Sequence, residues 1–321
     1  MLLLKDGFGR NINYLRLSIT DLCNLRCRYC MPERGIDKCD CESILRFEEV
    51  DKIVSDLIEM GIDKVRITGG EPLVRRGIVQ LIEKIGNHER IKELAITTNG
   101  ILLEEMAEGL KRAGLNRVNV SLDTLDPHKY KYMTRGGDLK KVQQGIQKAM
   151  DVGLTPIKLN CVLIGGFNDD EIRNFVELTR NQAIDVRFIE LMPIGEVAKW
   201  NEDQFISNDE VLKQVPELIS VEKDDPSSPA TYYRLPDSLG RVGLIRPISC
   251  KFCEDCNRIR LTSDGKLKYC LHSDDELDLK EVLRNQQDIH LAVQTYINKK
   301  PHEHQLDKKK YVKKSMFRIG G

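Results

Sequence analysis

Hydrophobic and polar positions follow two alternating periods along the first two thirds of the chain. Residues 14–19 alternate in polarity, which is typical of a strand. From Phe47 the apolar residues recur at Val50, Ile53, Val54 and Leu57, a helical period that stops before Gly61. Strand-like and helix-like segments then take turns as far as residue 191. We predict strands over 64–68, 93–97, 117–122, 156–163 and 185–191, and helices over 76–86, 104–113, 139–152 and 169–182.

Six strands separated by helices predict an α/β fold with a parallel sheet and helices outside it. Eight such units close a TIM-type barrel, so six predict a partial, open (β/α)₆ barrel whose lateral mouth is covered by a second domain. After Gly195 the pattern becomes irregular, and we expect domains over 1–195 and 196–321. In the second part we predict strands over 231–235, 241–245, 259–262 and 266–269, a hairpin turn at 263–265 and a helix around 278–298.

Composition narrows the class of protein. The 321 residues carry 50 basic and 50 acidic side chains, so no overall field favours nucleic acid or a membrane as partner. The chain shows no export signal and no stretch that could span a bilayer. Its ten cysteines are clustered, which favours metal ligation in a reducing compartment over a disulfide framework. We therefore expect a cytoplasmic enzyme.

The first cysteine group follows the first strand and consists of Cys23, Cys27 and Cys30. Three thiolates are one short of a closed tetrahedral zinc site or a fully ligated iron–sulfur cubane. One interpretation is a cubane with one open iron, beside which the Tyr29 ring could stack on an adenine. The other is a zinc knuckle with a distant fourth ligand.

The second group consists of Cys253, Cys256 and Cys270. With His272 these cysteines would form a Cys₃His zinc site, and with Cys250 they would close a structural cubane. Arg258 and Arg260 alternate along the strand that leaves this group, so both point the same way. A structural zinc ion has no use for two aligned arginines.

Glycines and basic residues mark the ends and interiors of the predicted strands. The turn Gly69-Gly70-Glu71-Pro72 follows the second strand, where a ligand can approach the backbone closely. Basic residues interrupt otherwise apolar strands at Arg16, Arg66, Lys158 and Arg187. They would either form salt bridges with a carboxylate such as Glu71 or Glu190, or clamp a polyanionic substrate.

The CxxxCxYC spacing and the GGEP turn resemble the signatures of the radical S-adenosylmethionine (SAM) enzymes. The resemblance implies that Cys23, Cys27 and Cys30 hold a [4Fe–4S] cluster whose open iron is chelated by SAM. It also implies reductive cleavage of SAM to a 5′-deoxyadenosyl radical that abstracts hydrogen from the substrate.

Over essentially its whole length the chain is similar to the molybdenum-cofactor biosynthesis protein A family, the GTP 3′,8-cyclases. The similarity is carried by DLCNLRCRYCMP, RITGGEPLVRR, TTNG, VSLDTLD, FIELMPIG, CNRIRLTSDGKLKYCL and the terminal FRIGG. It implies a second [4Fe–4S] cluster on Cys253, Cys256 and Cys270 whose open iron contacts guanine, with Cys250 and His272 as bystanders. Cys39, Cys41 and Cys161 match no ligand position.

The same resemblance assigns individual binding positions. SAM-binding positions are Tyr29, Gly70, Ser121 and Met192, and GTP-binding positions are Arg16, Arg66, Thr97, Lys158, Arg258 and Arg260. Catalytic roles fall on Arg258, Arg260 and the double-glycine tail Gly320-Gly321, which the family inserts into the active site. Without the resemblance, the tail would be read as a frayed terminus.

The implied reaction converts GTP to (8S)-3′,8-cyclo-7,8-dihydroguanosine 5′-triphosphate, the first step of molybdenum cofactor (molybdopterin) biosynthesis. Implied partners are GTP, a low-potential electron donor of flavodoxin or ferredoxin type, and the next enzyme, cyclic pyranopterin monophosphate synthase. A homodimer is one option for the assembly. The alternatives are a radical SAM enzyme that modifies a peptide with the help of an auxiliary cluster, and a non-enzymatic metal-binding module.

Overall fold

A continuous twelve-stranded sheet runs through the described part of this computed structural model, which comprises residues 3–36, 43–250, 252–304, 312 and 314–320. The strands are β1 (Tyr14–Ser18), β2 (Lys64–Thr68), β3 (Glu93–Thr98), β4 (Arg117–Ser121), β5 (Ile157–Leu163), β6 (Ile184–Glu190), β7 (Ile219–Val221), β8 (Ala230–Arg234), β9 (Val242–Ile245), β10 (Arg258–Leu261), β11 (Lys266–Lys268) and β12 (Leu277–Asp278). Their order in the sheet is β12-β11-β10-β1-β2-β3-β4-β5-β6-β9-β8-β7.

The six predicted parallel strands are confirmed as β1 to β6, which are neighbours in the sheet in chain order. The C-terminal part of the chain does not simply cover the open side. It adds β10 parallel to β1 at one edge and β9 parallel to β6 at the other, each followed by antiparallel strands. The parallel section therefore has eight strands, two more than the sequence pattern predicts.

Helices follow most of the parallel strands. They are α1 (Phe47–Glu59), α2 (Ile78–Gly86), α3 (Leu103–Arg112), α4 (Pro127–Thr134), α5 (Leu139–Asp151), α6 (Ile172–Asn181), α7 (Asp209–Gln214), α8 (Leu279–Arg284) and α9 (Ile289–Ile297). Sequence periodicity missed α4, in which Asp126 caps the first turn by accepting hydrogen bonds from the backbone N–H groups of His128 and Lys129. None of the described helices is both long and apolar enough to cross a bilayer.

The single helix predicted around 278–298 is wrong, because the chain forms α8 and α9 with a break between them. Gln286 adopts a left-handed conformation with φ of 53°, which a continuing helix does not allow. Asp288 then starts α9 by accepting a hydrogen bond from the Leu291 N–H at 3.0 Å.

The two faces of the sheet differ in polarity. On the outer face Leu15, Ile96, Val118 and Leu159 are at most 1% exposed and belong to one core that the helices cover. The inner face carries the alternate residues, and strand register aligns them. One row runs across five strands as Arg260, Arg16, Arg66, Ala95 and Arg117. The basic strand residues noted in the sequence therefore share the inner face.

Candidate functional site

A cavity of about 330 Å³ opens against the inner face of the sheet. Both cysteine groups line this cavity. The sequence alone indicated two separate metal sites, one near each end of the chain. The cavity walls include the following predicted site residues: Arg16, Cys23, Cys27, Tyr29, Cys30, Gly70, Thr97, Ser121, Met192, Cys253, Cys256, Arg258, Arg260 and Cys270. One cavity is thus shared by two thiol groups and several cations.

The first thiol group sits on a loop that is held against the glycine turn. The Gly70 N–H donates to the Thr20 carbonyl at 2.7 Å, and the Glu71 N–H donates to the Leu22 carbonyl at 2.8 Å. A Cβ on Gly70 would lie 2.4 Å from the Leu22 carbonyl oxygen, so only glycine permits this approach. The GGEP turn therefore fixes the shape of the cysteine loop.

Helix α4 supports the same loop from the other side. The N–H groups of Arg26 and Arg28 donate to the carbonyls of Thr134 and Met133 at 3.2 and 2.9 Å. Arg135, which follows the helix, donates from Nη1 to the carbonyls of Arg26 and Met31. The Asp-Pro pair at 126–127 was the sequence signal that could have revealed this support.

The thiols of the first group resist ionisation on their own. Burial, with the neighbouring Cys23, raises the pKa of Cys30 to about 12, and burial and Cys30 raise the pKa of Cys27 well above its usual range. Only a strongly positive group would hold these side chains as thiolates. Tyr29, next to Cys30, forms a hydrogen bond with Asp123, a buried carboxyl group whose pKa burial raises to about 6.

The second thiol group is anchored by hydrogen bonds to both ends of the chain. Arg10 donates from Nη1 to the Cys253 carbonyl at 2.6 Å, and Lys300 donates from Nζ to the Arg258 carbonyl at 3.1 Å. Burial alone would raise the pKa of Cys256, but Lys300 and Arg258 outweigh burial and lower it. Cys256 is therefore biased toward the thiolate form, which is the form that ligates a metal.

The thiol groups are spaced too widely for a single tetrahedral metal ion. Among the described residues, neither thiol group brings three Sγ atoms within 4.8 Å of one another, with or without His272 as a partner. Tetrahedral zinc draws its ligand atoms closer than that, since Zn–S bonds are about 2.3 Å long. In a cubane each thiolate binds a different iron atom, so wider spacing fits. Cys250 is exposed and does not line the cavity.

Of the two alternatives for the strand cations, salt bridges to Glu71 or Glu190 are not formed among the described residues. Glu71 accepts hydrogen bonds from the Leu73 and Asn99 N–H groups and from Thr98 Oγ1 at 2.6 to 3.0 Å. Glu190 accepts from the Ile248 and Ser249 N–H groups, each at 3.1 Å. Both carboxylates therefore serve loops beside the cavity rather than the buried cations.

Other carboxylates near the inner-face cations are also occupied. Glu93 pairs with Arg117, and Asp185 pairs with Arg241 at 3.0 Å. Within the described ranges, no carboxylate lies within 4.0 Å of Arg66, Lys158 or Arg187. Arg66 instead lies over the Tyr14 ring, 5.3 Å from its centroid. Three cations, Arg66 and Arg187 buried and Lys158 half-buried, thus lack an anionic partner within the described chain.

Burial and mutual repulsion lower the pKa values of these cations. Burial, with Arg117 and Arg187, lowers the pKa of Lys158 to about 7. Burial lowers the pKa of Arg66 to about 10, with Tyr14 opposing and Arg117 adding to the shift. Neither side chain lines the open cavity, although register places Arg66 beside Arg16 and Lys158 two residues before Asn160, which do line it. The cations form a layer behind the cavity wall.

The C-terminal tail is not frayed where it is described. Met316 and Phe317 line the cavity, and Gly320 is buried behind it. Gly321 lies outside the described residues, as do Cys39 and Cys41. Cys161 is buried on the outer face, where its Sγ lies 3.7 Å from the Asp123 carbonyl oxygen.

Sequence reasoning missed several polar residues: Tyr14, Arg117, Asn119 and Asn160 on the inner face of the sheet, and His304 in the cavity wall. The alternation of Arg117, Asn119 and Ser121 along β4 could have revealed Arg117 and Asn119. His304 had no such signal, because it lies outside the predicted strands and helices.

Comparisons with known proteins agree with this arrangement. A family model described as the Radical SAM superfamily matches residues 17–179, and a model described as Molybdenum Cofactor Synthesis C matches residues 184–306. A protein named GTP 3′,8-cyclase from Peptoclostridium acidaminophilum is 59% identical over 319 residues, which is 99% of this chain and 98% of its own length. A protein of the same name from Alkaliphilus oremlandii is 56% identical, over 99% of this chain and 100% of its own length.

Solved structures show the fold at lower identity. The crystal structure of Streptococcus suis SuiB bound to S-adenosylmethionine aligns with a TM-score of 0.63 at 14% identity, over 93% of this chain and 69% of that one. The same protein bound to the precursor peptide SuiA gives a TM-score of 0.59 at 16% identity. At this identity the likeness concerns the fold alone.

Proposed function

The chain belongs to the GTP 3′,8-cyclases, radical SAM enzymes of molybdenum cofactor biosynthesis, and from this we propose how its own residues divide the work of cyclising GTP to (8S)-3′,8-cyclo-7,8-dihydroguanosine 5′-triphosphate. The observation that carries the proposal is that both thiol groups, Arg258 and Arg260 line one cavity. Two reactants held in one cavity can meet in reacting geometry.

The first thiol group would hold the [4Fe–4S] cluster through Cys23, Cys27 and Cys30. The bound cluster and SAM supply the reducing electron and the radical that abstracts hydrogen. Tyr29, Gly70, Ser121 and Met192 line the cavity around this group and would hold SAM. The Asp123 carboxyl group fixes the Tyr29 hydroxyl, and the Gly70 backbone can approach a ligand without a side chain in the way.

Cys253, Cys256 and Cys270 would hold the second [4Fe–4S] cluster. The spacing of their sulfur atoms supports a cluster over a single zinc ion, and the lowered pKa of Cys256 supports metal ligation of either kind. Three thiolates leave one iron for another ligand. The family resemblance assigns that position to the guanine of GTP.

The inner-face cations would bind the triphosphate. Arg66 and Arg187 are buried and Lys158 is half-buried, all without a carboxylate partner in the described chain. Such burial is costly unless an anion neutralises the cations. Arg16, Thr97, Arg258 and Arg260 line the cavity in front of them and would hold the nucleotide. Arg and Lys bind phosphate through charge-assisted hydrogen bonds, so a triphosphate reaching this layer would relieve the mutual repulsion of the cations.

Reaction partners outside the chain complete the proposal. We expect a flavodoxin- or ferredoxin-type electron donor, delivery of the product to cyclic pyranopterin monophosphate synthase, a cytoplasmic location and a homodimer as one form of assembly. Each can be examined separately, for example by sizing the reconstituted protein in solution.

The test is anaerobic reconstitution with iron and sulfide, followed by incubation with SAM, a low-potential reductant and GTP. We expect 5′-deoxyadenosine and a cyclised nucleotide to form together when GTP is present. Without GTP, 5′-deoxyadenosine should form more slowly and no cyclised nucleotide should form. Absence of GTP-dependent 5′-deoxyadenosine would overturn the proposal. Arg258→Ala should retain SAM binding and lose most cyclised product, and unchanged cyclisation would remove Arg258 from the site.

A peptide-modifying radical SAM enzyme was the alternative suggested by the sequence. The structural likeness to SuiB concerns the fold, whereas the relatives at 59% and 56% identity are named as cyclases. The buried cations also favour a small polyanion over a peptide. Omitting GTP from the reconstituted mixture separates the two, because a peptide-modifying enzyme would show no response to the nucleotide.

A further inference from the structure

Three arginines that the assigned site does not use lie on the outer side of the first cysteine loop. Arg26 and Arg28 flank Cys27 in the chain, and Arg34 follows in the same loop. Leu25, Cys27 and Tyr29 line the cavity, whereas Arg26 and Arg28 between them do not. Arg26 and Arg34 are exposed, and Arg28 is half-buried. The loop therefore turns its thiols inward and its guanidinium groups toward solvent.

Contacts within the loop and with helix α4 hold these side chains in place. Arg26 packs across Gly35, where an added Cβ would lie 2.9 Å from Arg26 Nε, and this places Arg26 next to Arg34. Arg28 donates from Nε to the Tyr132 carbonyl at 3.0 Å, and its guanidinium lies 3.9 Å from the centroid of the Tyr132 ring. Tyr132 is 56% exposed. An aromatic ring and three cations thus share one stretch of surface.

The charge of this surface is not neutralised within the described chain. None of the three arginines has a described carboxylate within 4.0 Å, although Glu33 is exposed in the same loop. Acidic and basic side chains cancel over the whole chain, so the positive excess is local. Arginine and tyrosine are enriched at protein interfaces, and a positive patch attracts a negatively charged partner.

We propose that this basic patch, formed by Arg26, Arg28, Arg34 and Tyr132, is the docking surface for an acidic electron-carrier protein. The inference rests on the proposed function, in which the first thiol group holds a cluster that receives an electron from outside the chain. In that step the reduced carrier loses one electron and the cluster gains it, with no transfer of a proton or an atom.

The position of the basic patch suits this role. Arg26 and Arg28 are the direct neighbours of Cys27, and consecutive Cα atoms are about 3.8 Å apart. A carrier on the basic patch would therefore lie just across the loop from the first thiol group. Because the patch is outside the cavity, the docked carrier would leave the positions proposed for SAM and GTP open.

The test measures binding of an acidic flavodoxin to the anaerobically reconstituted protein by biolayer interferometry. We expect Arg26→Glu with Arg34→Glu to weaken binding at least about ten-fold at low salt. Wild-type binding should itself weaken between about 50 and about 300 mM salt, because salt screens exposed charges. Only the main-chain N–H of Arg26 supports the cysteine loop, so the exchange of its side chain leaves that support in place.

A second measurement compares two reductants for the formation of 5′-deoxyadenosine. The double glutamate variant should lose at least about ten-fold of the rate with reduced flavodoxin. Its rate with dithionite, a small inorganic reductant that needs no docking surface, should stay within about two-fold of the wild type. Arg26→Lys with Arg34→Lys keeps both charges and should retain flavodoxin binding and both rates.

Arg90→Glu with Arg112→Glu is the matched control for net charge. Arg90 and Arg112 are exposed and precede β3 and β4, at the edge of the parallel strands opposite to the cysteine loop that follows β1. This control should bind flavodoxin as the wild type does. An equal loss of binding in the control would show that total charge, and not the basic patch, attracts the carrier.

The remaining outcomes separate the docking surface from the proposed function. Equal flavodoxin binding by the wild type and the double glutamate variant would overturn the docking surface. So would an equal loss of both rates in a variant with wild-type iron content. If the glutamate variant loses iron, Arg26→Gln with Arg34→Gln decides the matter by the same measurements. A wild type that cleaves no SAM with dithionite would instead overturn the proposed function, and flavodoxin binding would still test the surface.

Discussion

Arg260 donates a hydrogen bond from Nη1 to the carbonyl oxygen of Gly320 over 2.9 Å, joining the inner face of the sheet to the C-terminal tail. Arg260 is 7% exposed and lies on β10, 60 residues from Gly320 along the chain. Burial lowers the pKa of Arg260 to about 10, and the nearby Cys270 opposes this shift. One buried cation is therefore shared by the cavity, the second thiol group and the tail.

The backbone conformation and close surroundings of Gly320 leave no room for a side chain. Its φ of +75° is unfavourable for a side chain, and a Cβ would lie 2.8 Å from Thr68 Oγ1 and 3.1 Å from Ser18 Cβ. We expect Gly320→Ala to release the tail and to lower cyclised product at least ten-fold while SAM still binds. Hydrogen exchange of residues 316–320 measures the release directly.

Gly9 provides the matched control for this prediction. Its φ is +79°, but a Cβ there would meet no atom within 4 Å. Gly9→Ala therefore carries the same backbone strain without the steric clash, and its activity should stay within about two-fold of the wild type. If both variants lose activity equally, the contact with Thr68 and Ser18 does not matter.

The order of the six central strands could be predicted from the sequence because each strand and helix is a local pattern. Strands such as 64–68 and 156–163 are short apolar segments broken at alternate positions by polar residues, and the right-handed crossover rule sets their order. The basic residues on those strands indicated a polar inner face for the same reason. Local periodicity was sufficient for this part of the fold and of the site.

Long-range pairings could not be predicted in this way. β10 joins β1, and β9 joins β6, through contacts between residues far apart in the chain, which no local period records. The convergence of Cys23 and Cys256 on one cavity depends on those pairings. The break between α8 and α9 depends on the left-handed conformation at Gln286, a residue type that does not mark a helix end.

Iron content should distinguish the cysteines of the second group from Cys250. Cys256 lines the cavity and has a lowered pKa, whereas Cys250 is exposed and lies outside it. The reconstituted wild type should hold about eight iron atoms per chain, as two cubanes imply. We expect Cys256→Ser to fall to about four and Cys250→Ser to stay near eight.

Cys161→Ser controls for the loss of a buried thiol that ligates nothing, and its iron content should match that of the wild type. Iron loss in Cys250→Ser equal to that in Cys256→Ser would show that Cys250 is a ligand as well. Zinc in place of the second four iron atoms would contradict both assignments.

Glu71 should be a positioning residue for the cysteine loop. Its carboxylate accepts from Thr98 Oγ1 and from the Asn99 N–H, and Asn99 Nδ2 donates to Asn24 Oδ1 at 2.7 Å. Glu71→Ala leaves buried donors without an acceptor, so the free energy of unfolding should fall by about 2 kcal/mol. Thermal unfolding of the reconstituted protein measures this loss of stability. SAM binding measures the effect of the substitution on the cysteine loop, and it should weaken.

Glu48→Ala, on the exposed side of α1, is the control for removing a carboxylate and should change neither quantity. If Glu71→Ala retains both wild-type stability and SAM affinity, the hydrogen bonds of Glu71 do not support the loop.

GTP binding should take up a proton at Lys158. In the free protein, burial with Arg117 and Arg187 holds the pKa of Lys158 near 7, so at pH 8 the amine is mostly neutral. A bound triphosphate favours the ammonium form and raises that pKa. Binding should therefore take up close to one proton at pH 8 and almost none at pH 6, and GTP affinity should decline as the pH rises above 7.

Titration calorimetry in buffers of different ionisation enthalpy measures the uptake, and Lys158→Arg, which stays charged, should abolish it. The difference between the two proteins cancels any proton exchange by the nucleotide itself, and equal uptake in both would place the titrating group elsewhere.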